Sequence, residues 1–229
     1  MLEIKNLYKN FGDSVVFEDF NLKVDEGEFV FITGPSGSGK TTFLRLILRD
    51  LVPDKGEILL DGEDIVKISN KLIPALRQKI GTIFQDFKVL PESKVRENVE
   101  VALAVLELPQ DEWRARVDHV LKLVDLEEKS ELFPSQLSGG ELQRVSMARA
   151  LVVNPKIILA DEPTGNLDWD TADAIMDLFE KVNKEGKTIL MATHNKMLID
   201  RMKKRVIKLE KVRSKNKTEK VEVKLDKKK

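Results

Sequence analysis

Apolar positions along this chain switch repeatedly between two spacings. Residues 2–7 alternate apolar and polar, and Val15-Val16-Phe17 and Leu22-Lys23-Val24 continue the extended pattern. Glu28 to Thr33 holds four apolar residues in a row, which predicts a strand buried on both faces. From Thr41 to Arg49 the spacing becomes helical, with Phe43, Leu44, Ile47 and Leu48 on one side. Glu57–Leu60 and Ile80–Phe84 read as further short strands. The segment from about Asp86 to Gln136 is different in kind, because Val95, Val99, Leu103 and Leu106, then Trp113, Val117, Val120, Leu121 and Val124, recur at helical intervals.

Ser138 followed by Glu141 is a capping-box pair opening a helix to about Val153, where Asn154-Pro155 ends it. A strand at Lys156–Ala160, a helix from Asp168 to Val182, and strands at Thr188–Ala192 and Arg205–Leu209 complete a β/α alternation. That order predicts an α/β fold with a helical insertion and no internal repeat.

Candidate chemistry sits where these patterns change. Gly34-Pro35-Ser36-Gly37-Ser38-Gly39-Lys40-Thr41 follows the Glu28–Thr33 strand directly and runs into a helix. Glycines there let successive N–H groups turn inward on phosphate oxygens, and the helix N-terminus adds partial positive charge. Lys40 is placed to reach the β and γ phosphates and Thr41 to ligate magnesium, with Thr42 counted among the phosphate-binding residues. A plain glycine-rich turn is the bland alternative, and the full eight-residue match between strand and helix disfavours it.

Asp161 and Glu162 end an apolar run, at the carboxyl end of a predicted buried strand where open α/β sheets hold ligands. Asp161 is the candidate metal ligand and Glu162 the candidate base for an attacking water. Carboxylates after a strand are common in turns, so this pair gains its meaning from Lys40.

Leu137-Ser138-Gly139-Gly140-Glu141, with Gln143-Arg144, resembles the signature of the ATP-binding cassette (ABC) ATPases. The resemblance covers about residues 1–210 and extends to Gln85, to Gly165-Asn166-Leu167-Asp168 and to His194 in Ala192-Thr193-His194-Asn195. It implies a P-loop NTPase, an ABC nucleotide-binding domain with a RecA-like core, an N-terminal antiparallel β subdomain and an inserted α-helical subdomain. The expected boundaries are one domain over 1–212, with core at about 1–85 and 155–212 and helical subdomain at about 86–154, then a basic, flexible tail at 213–229.

By the same resemblance, ATP held by one copy is capped by Ser138, Gly139 and Gly140 of a second copy, with Asp168 beside it. His194 contacts the γ-phosphate, and Gln85 contacts magnesium or water while linking core to helical subdomain. Phe11 stacks on adenine, with Tyr8 as the alternative. Within the family, Ile83 to Pro91 and Asp161 to Asp168 are similar to the cassettes of bacterial cell division, which work with an integral membrane partner. Lipoprotein-release and macrolide-export cassettes share the second run and are the alternative.

Charge adds one further feature. Lys plus Arg and Asp plus Glu both total 39, so net charge gives no case for nucleic-acid binding. Residues 201–229, however, hold 14 basic and 4 acidic groups. Such a tail is expected either to contact anionic lipid or simply to aid solubility. With no cysteine and two histidines, any metal is expected to have oxygen ligands. No apolar stretch approaches a membrane span and the first residues lack a signal-peptide pattern, so a cytosolic protein that reaches the membrane's cytoplasmic face through a partner is expected.

Overall fold

The computed structural model describes residues 1–106 and 109–211, so the expected basic tail at 213–229 lies outside the described residues. The chain divides into two compact units, one built from residues 1–77 together with the chain from Thr188 onward, the other from Gln78–Lys187.

In the first unit, β1 (Leu2–Phe11) and β2 (Ser14–Val24) form a long antiparallel ribbon, joined by β4 (Lys55–Leu60) and the short β5 (Glu63–Asp64) in the order β2-β1-β4-β5. The two apolar fragments read at 15–17 and 22–24 belong to one continuous strand. What hides this in the sequence is an irregularity in the β1–β2 register between Ile4 and Leu7. There Asn6 and Asp19 both take positive φ, 47° and 52°. Their side chains bond each other at 2.8 Å, and the Asn6 N–H donates to Asn21 Oδ1 at 2.8 Å. Asn and Asp tolerate the left-handed region best, so the polar interruption is the bulge itself.

The same unit contains β3 (Phe29–Thr33), which pairs in parallel with β8 (Thr188–Ala192) on one side and with β9 (Arg205–Lys208) on the other. Phe31, Ile32, Leu190 and Ala192 are fully buried, as strands covered on both faces require. Helix α1 (Lys40–Ile47) follows β3 and buries Phe43, Leu44, Leu46 and Ile47. The Phe43 ring meets Phe17 and Phe20 edge-on at 6.3 and 5.7 Å, which ties the helix to β2. Two short helices, α2 (Ile73–Gln78) and α7 (Lys196–Met202), have no clear periodicity in the sequence.

The second unit is built on a parallel pair, β6 (Ile80–Phe84) and β7 (Ile157–Asp161), aligned so that Phe84 lies beside Asp161. Helices α3 (Val95–Glu100), α4 (Gln110–Leu123) and α5 (Gly139–Leu151) form the helical insertion, and α6 (Trp169–Lys184) follows β7. Val95, Val99, Val117, Leu121, Val124, Val145 and Ala148 bury the faces that the helical spacing marks. An antiparallel sheet, parallel strands after which the chemistry-bearing loops come, and an inserted helical group are the elements of the expected P-loop fold.

Candidate active site

In the first unit, the loop between β3 and α1 has the shape of an anion cradle. Gly37 and Gly39 sit at φ 74° and 96°, where only glycine is unstrained. A Cβ on Gly39 would lie 2.6 Å from Val16 Cγ1, so the loop also needs glycine to lie against β2. The Gly39 cap supplies no side-chain acceptor to the first turn of α1, whose N–H groups therefore face the loop. Ser38 Oγ is buried without a hydrogen-bond partner, and the Lys40 ammonium donates to the loop's own carbonyls, Gly34 O at 2.9 Å and Pro35 O at 3.4 Å. A hydroxyl without a partner, unsatisfied helix N–H groups and a cation curled over the loop together fit a polyphosphate.

His194 follows β8, the parallel neighbour of β3, so it emerges at the same carboxyl edge as the loop. It is exposed. Thr193 fixes the turn beside it: its N–H donates to Ile32 O at 3.0 Å and its hydroxyl accepts from the Asn195 N–H at 3.1 Å. Phe11, at the end of β1, is 48% exposed, and the Lys9 ammonium lies 5.2 Å from its ring centre. Tyr8 is half-buried. Of the two, Phe11 offers the freer aromatic surface for a flat base.

In the second unit, the register of β6 against β7 brings Gln85 and the Asp161-Glu162 pair to one edge. Glu162 adopts φ 47°, a left-handed conformation that costs a non-glycine residue energy and is held here by the turn bond from the Gly165 N–H to Glu162 O at 3.0 Å. Gln85 does not project freely. Its Nε2 donates to Asn166 Oδ1 at 2.9 Å, while Asn166 Nδ2 donates to Gln85 O at 3.2 Å. A Cβ on Gly165 would lie 2.9 Å from Gln85 Nε2, so this glycine is the space the glutamine amide uses. Asp168 caps α6, accepting the Thr171 N–H at 3.0 Å and the Thr171 hydroxyl at 2.6 Å, and those bonds hold its carboxyl below the usual range.

The residues after Gln85 are pinned as well. Phe87 and Lys88 have φ 57° and 52°, and the half-buried Arg149 guanidinium on α5 donates to the carbonyls of both, at 3.2 Å to Phe87 O and 2.5 Å to Lys88 O. Burial pushes the Arg149 pKa down. Gln143, also on α5 and fully buried, reaches Phe84 O at 3.4 Å. Neither role is visible in local sequence pattern; Arg149 reads as one more base in a helix.

The start of α5 is closed by a capping box. The Ser138 N–H and hydroxyl donate to Glu141 Oε2 at 2.8 and 2.9 Å, and the Glu141 N–H donates back to Ser138 Oγ at 3.4 Å. The other carboxylate oxygen pairs with Lys129. That ion pair, followed by the Ser138 N–H bond, lowers the Glu141 pKa to about 2. Gly139 and Gly140 open the first turn; Gly140 is buried, and a Cβ there would run into Thr171 Cγ2, so packing against α6 itself requires glycine.

A phosphate cradle after a buried parallel strand, with a carboxylate pair at the end of another, defines a nucleotide-binding P-loop protein. A family model described as ABC transporter matches residues 17–165. The chain belongs to this family of ATP-binding proteins. Its relatives include the cell division ATP-binding protein FtsE of Bacillus subtilis, 48% identical over 211 residues that make up 92% of each chain. The FtsE of Escherichia coli K12 is 42% identical over 91% of this chain and 95% of its own. Among solved structures, the dimeric post-hydrolysis state of the ATP-binding cassette MJ0796 bound to ADP and Pi is similar at TM-score 0.80 and 38% identity, covering 93% of this chain and 97% of that one.

Proposed function

We propose that this protein is the ATP-hydrolysing subunit of an FtsE–FtsX type complex. ATP-driven closure of two copies moves an FtsX-like integral membrane partner, which in turn regulates peptidoglycan hydrolases during cell division. The observation that carries the reading is 48% identity to an FtsE across 92% of both chains, a span that includes the phosphate loop, the signature serine and Glu162.

The residue roles are assigned by the family resemblance, and their settings support them. The N–H groups of Gly37 to Thr42, with the Lys40 ammonium turned from its own carbonyls, hold the phosphates of ATP. Phe11 stacks on the adenine. By the family resemblance, the Thr41 hydroxyl, the Asp161 carboxylate and the Gln85 amide oxygen are the oxygen donors that would hold magnesium, and oxygen donors suit that ion. Among the described residues no cluster of three or more His, Cys, Asp or Glu exists, so such an ion would take most of its remaining ligands from phosphate and water. Magnesium would neutralise charge on the phosphates. Glu162 accepts the proton of the attacking water, and the strained φ fixes where its carboxylate points. His194 hydrogen-bonds the γ-phosphate.

Ser138, Gly139 and Gly140 cap the ATP of a second copy, and Asp168, by fixing the start of α6, sets the backbone next to it. The membrane partner docks on the second unit along residues 85–90 and the exposed side of α3, where Leu90 and Val101 are 42% and 45% exposed. Arg149 keeps that docking loop in its unusual backbone conformation. Among the described residues no helix is long and apolar enough to cross a membrane; the membrane partner holds the protein at the cytoplasmic face. The basic tail adds attraction to anionic lipid, and unchanged liposome association after truncation at Ser214 would remove that element alone.

Lys40→Ala and Glu162→Gln separate binding from chemistry. The first is expected to weaken ATP binding; the second keeps binding, slows phosphate release and accumulates an ATP-bound dimer. Wild-type hydrolysis by Glu162→Gln would refute the assignment of the base.

A further inference from the structure

The signature of this chain carries a carboxylate, Glu141, three residues into the helix whose N-terminus is to receive a phosphate. On elementary electrostatics that is the wrong charge in the wrong place. An anion within a few ångströms of an incoming phosphate opposes it, and the carboxylate also competes for the Ser138 hydroxyl proton, which it already holds at 2.9 Å. The structure contains a counter-charge for it. Lys129, the last residue of a single 3₁₀ turn at Glu127–Lys129, pairs directly with Glu141 Oε1. The Ser138 bonds occupy only Oε2, so the two oxygens divide their work between the lysine and the cap.

We propose that Lys129 is a positioning residue of the phosphate-capping site: it neutralises Glu141, so that the Ser138 hydroxyl is free to turn from the carboxylate to a phosphate oxygen. The inference rests on the reading that Ser138 caps ATP held by a second copy. It goes beyond that reading in assigning a role to a residue outside every recognised motif. Glu141 contributes the capping box that starts α5, and Lys129 cancels the electrostatic cost of using an acid for it. Lys129 touches neither phosphate nor metal and acts only through Glu141.

The test uses the Glu162→Gln protein with magnesium and ATP, reading the ATP concentration needed for half-maximal dimer by light scattering after gel filtration. Lys129→Ala is expected to raise that concentration about tenfold, the size of one uncompensated charge close to the site. Lys129→Arg, which keeps the charge, stays near the parent. Glu141→Gln keeps a capping acceptor without the charge. Combined with Lys129→Ala, it restores dimerisation to within about twofold of the parent, whereas a lysine that merely holds the 3₁₀ turn in place gives no such rescue. In the protein with Glu162 intact, Lys129→Ala lowers kcat while the Kd for a fluorescent ATP analogue, set by the glycine loop, is unchanged.

Unaltered dimerisation in Lys129→Ala, or a loss that Glu141→Gln does not repair, overturns the role of Lys129 and leaves the capping reading standing. Failure of the Glu162→Gln parent to dimerise with ATP overturns the capping reading, and the inference with it.

Discussion

Gly165→Ala isolates the placement of the Gln85 amide from the stability of the fold. Gly165 is not among the residues with positive φ, so alanine brings no backbone strain. Its Cβ would, however, lie 2.9 Å from Gln85 Nε2 and 3.1 Å from Gln85 Cδ. These atoms belong to the end of a flexible side chain, so the glutamine moves rather than the strand. What is lost is its 2.9 Å bond to Asn166 Oδ1, at an exposed position. A bond of that kind is worth about 1 kcal/mol at most, a fall in Tm of roughly 2–4 °C for a chain of this size.

The effect on chemistry is larger. A displacement of about 1 Å in a group that orients magnesium or water costs on the order of 10- to 100-fold in kcat. Phosphate release at saturating ATP, ATP affinity and thermal unfolding, measured side by side, separate the two. The expected pattern is a small loss of Tm, nearly unchanged ATP affinity and a large loss of kcat, reproduced by Asn166→Ala, which removes the same bond from the other side. Unchanged kcat in both variants would show that the position of the Gln85 amide is irrelevant to hydrolysis. A fall in Tm above about 10 °C would show that the glycine serves the fold instead.

Three further outcomes follow from the same geometry. Asp168→Ala removes the α6 cap and is expected to lower Tm by about 3 °C, while Asp168→Asn, an equally good cap, recovers most of it in the same thermal scan. Arg149→Lys cannot span two carbonyls with a planar fork; it is expected to loosen residues 86–88, seen as faster amide exchange there, and to weaken partner co-purification with ATP affinity intact. Glu141, ordinarily near 4.5 and held at about 2, binds its proton less readily when folded. Its pairing therefore stabilises the fold above about pH 4.5 and the contribution fades as pH falls toward 2. Urea unfolding of wild type and Lys129→Ala should accordingly differ at neutral pH and converge in acid, and a gap that persists in acid would contradict the ion pair's role.

Elements with strong patterns were readable from sequence, and so were the residues that end them. β6 occupies Ile80–Phe84 as its apolar run predicts, and Ser138 with Glu141 forms the capping box that the spacing predicts. The glycine loop between β3 and α1 was legible because its backbone conformation demands glycine at fixed offsets. Irregularity was harder to read. Helix α7 is seven residues long and buries only Leu198 and Met202, too few to set a period, although Asn195 caps it through the N–H groups of Met197 and Leu198. The β1–β2 bulge depends on a hydrogen bond between residues thirteen apart. Arg149 holds carbonyls about sixty residues away, and Lys129 finds its acid only once α5 and the preceding turn are packed together. These are consequences of folding, and no local pattern encodes them.

The proposed function requires an ATP-driven pair of these chains to work on a division-type membrane partner. It is tested most directly by capturing tagged Glu162→Gln from detergent-solubilised native membranes with magnesium and ATP, and identifying the integral membrane protein that comes with it. The expected catch is an FtsX-like protein of four helices and one large extracellular loop, recovered with ATP and reduced when residues 86–90 or the exposed face of α3 are altered. Recovery of a transporter with a substrate pathway in its place would contradict the proposed function.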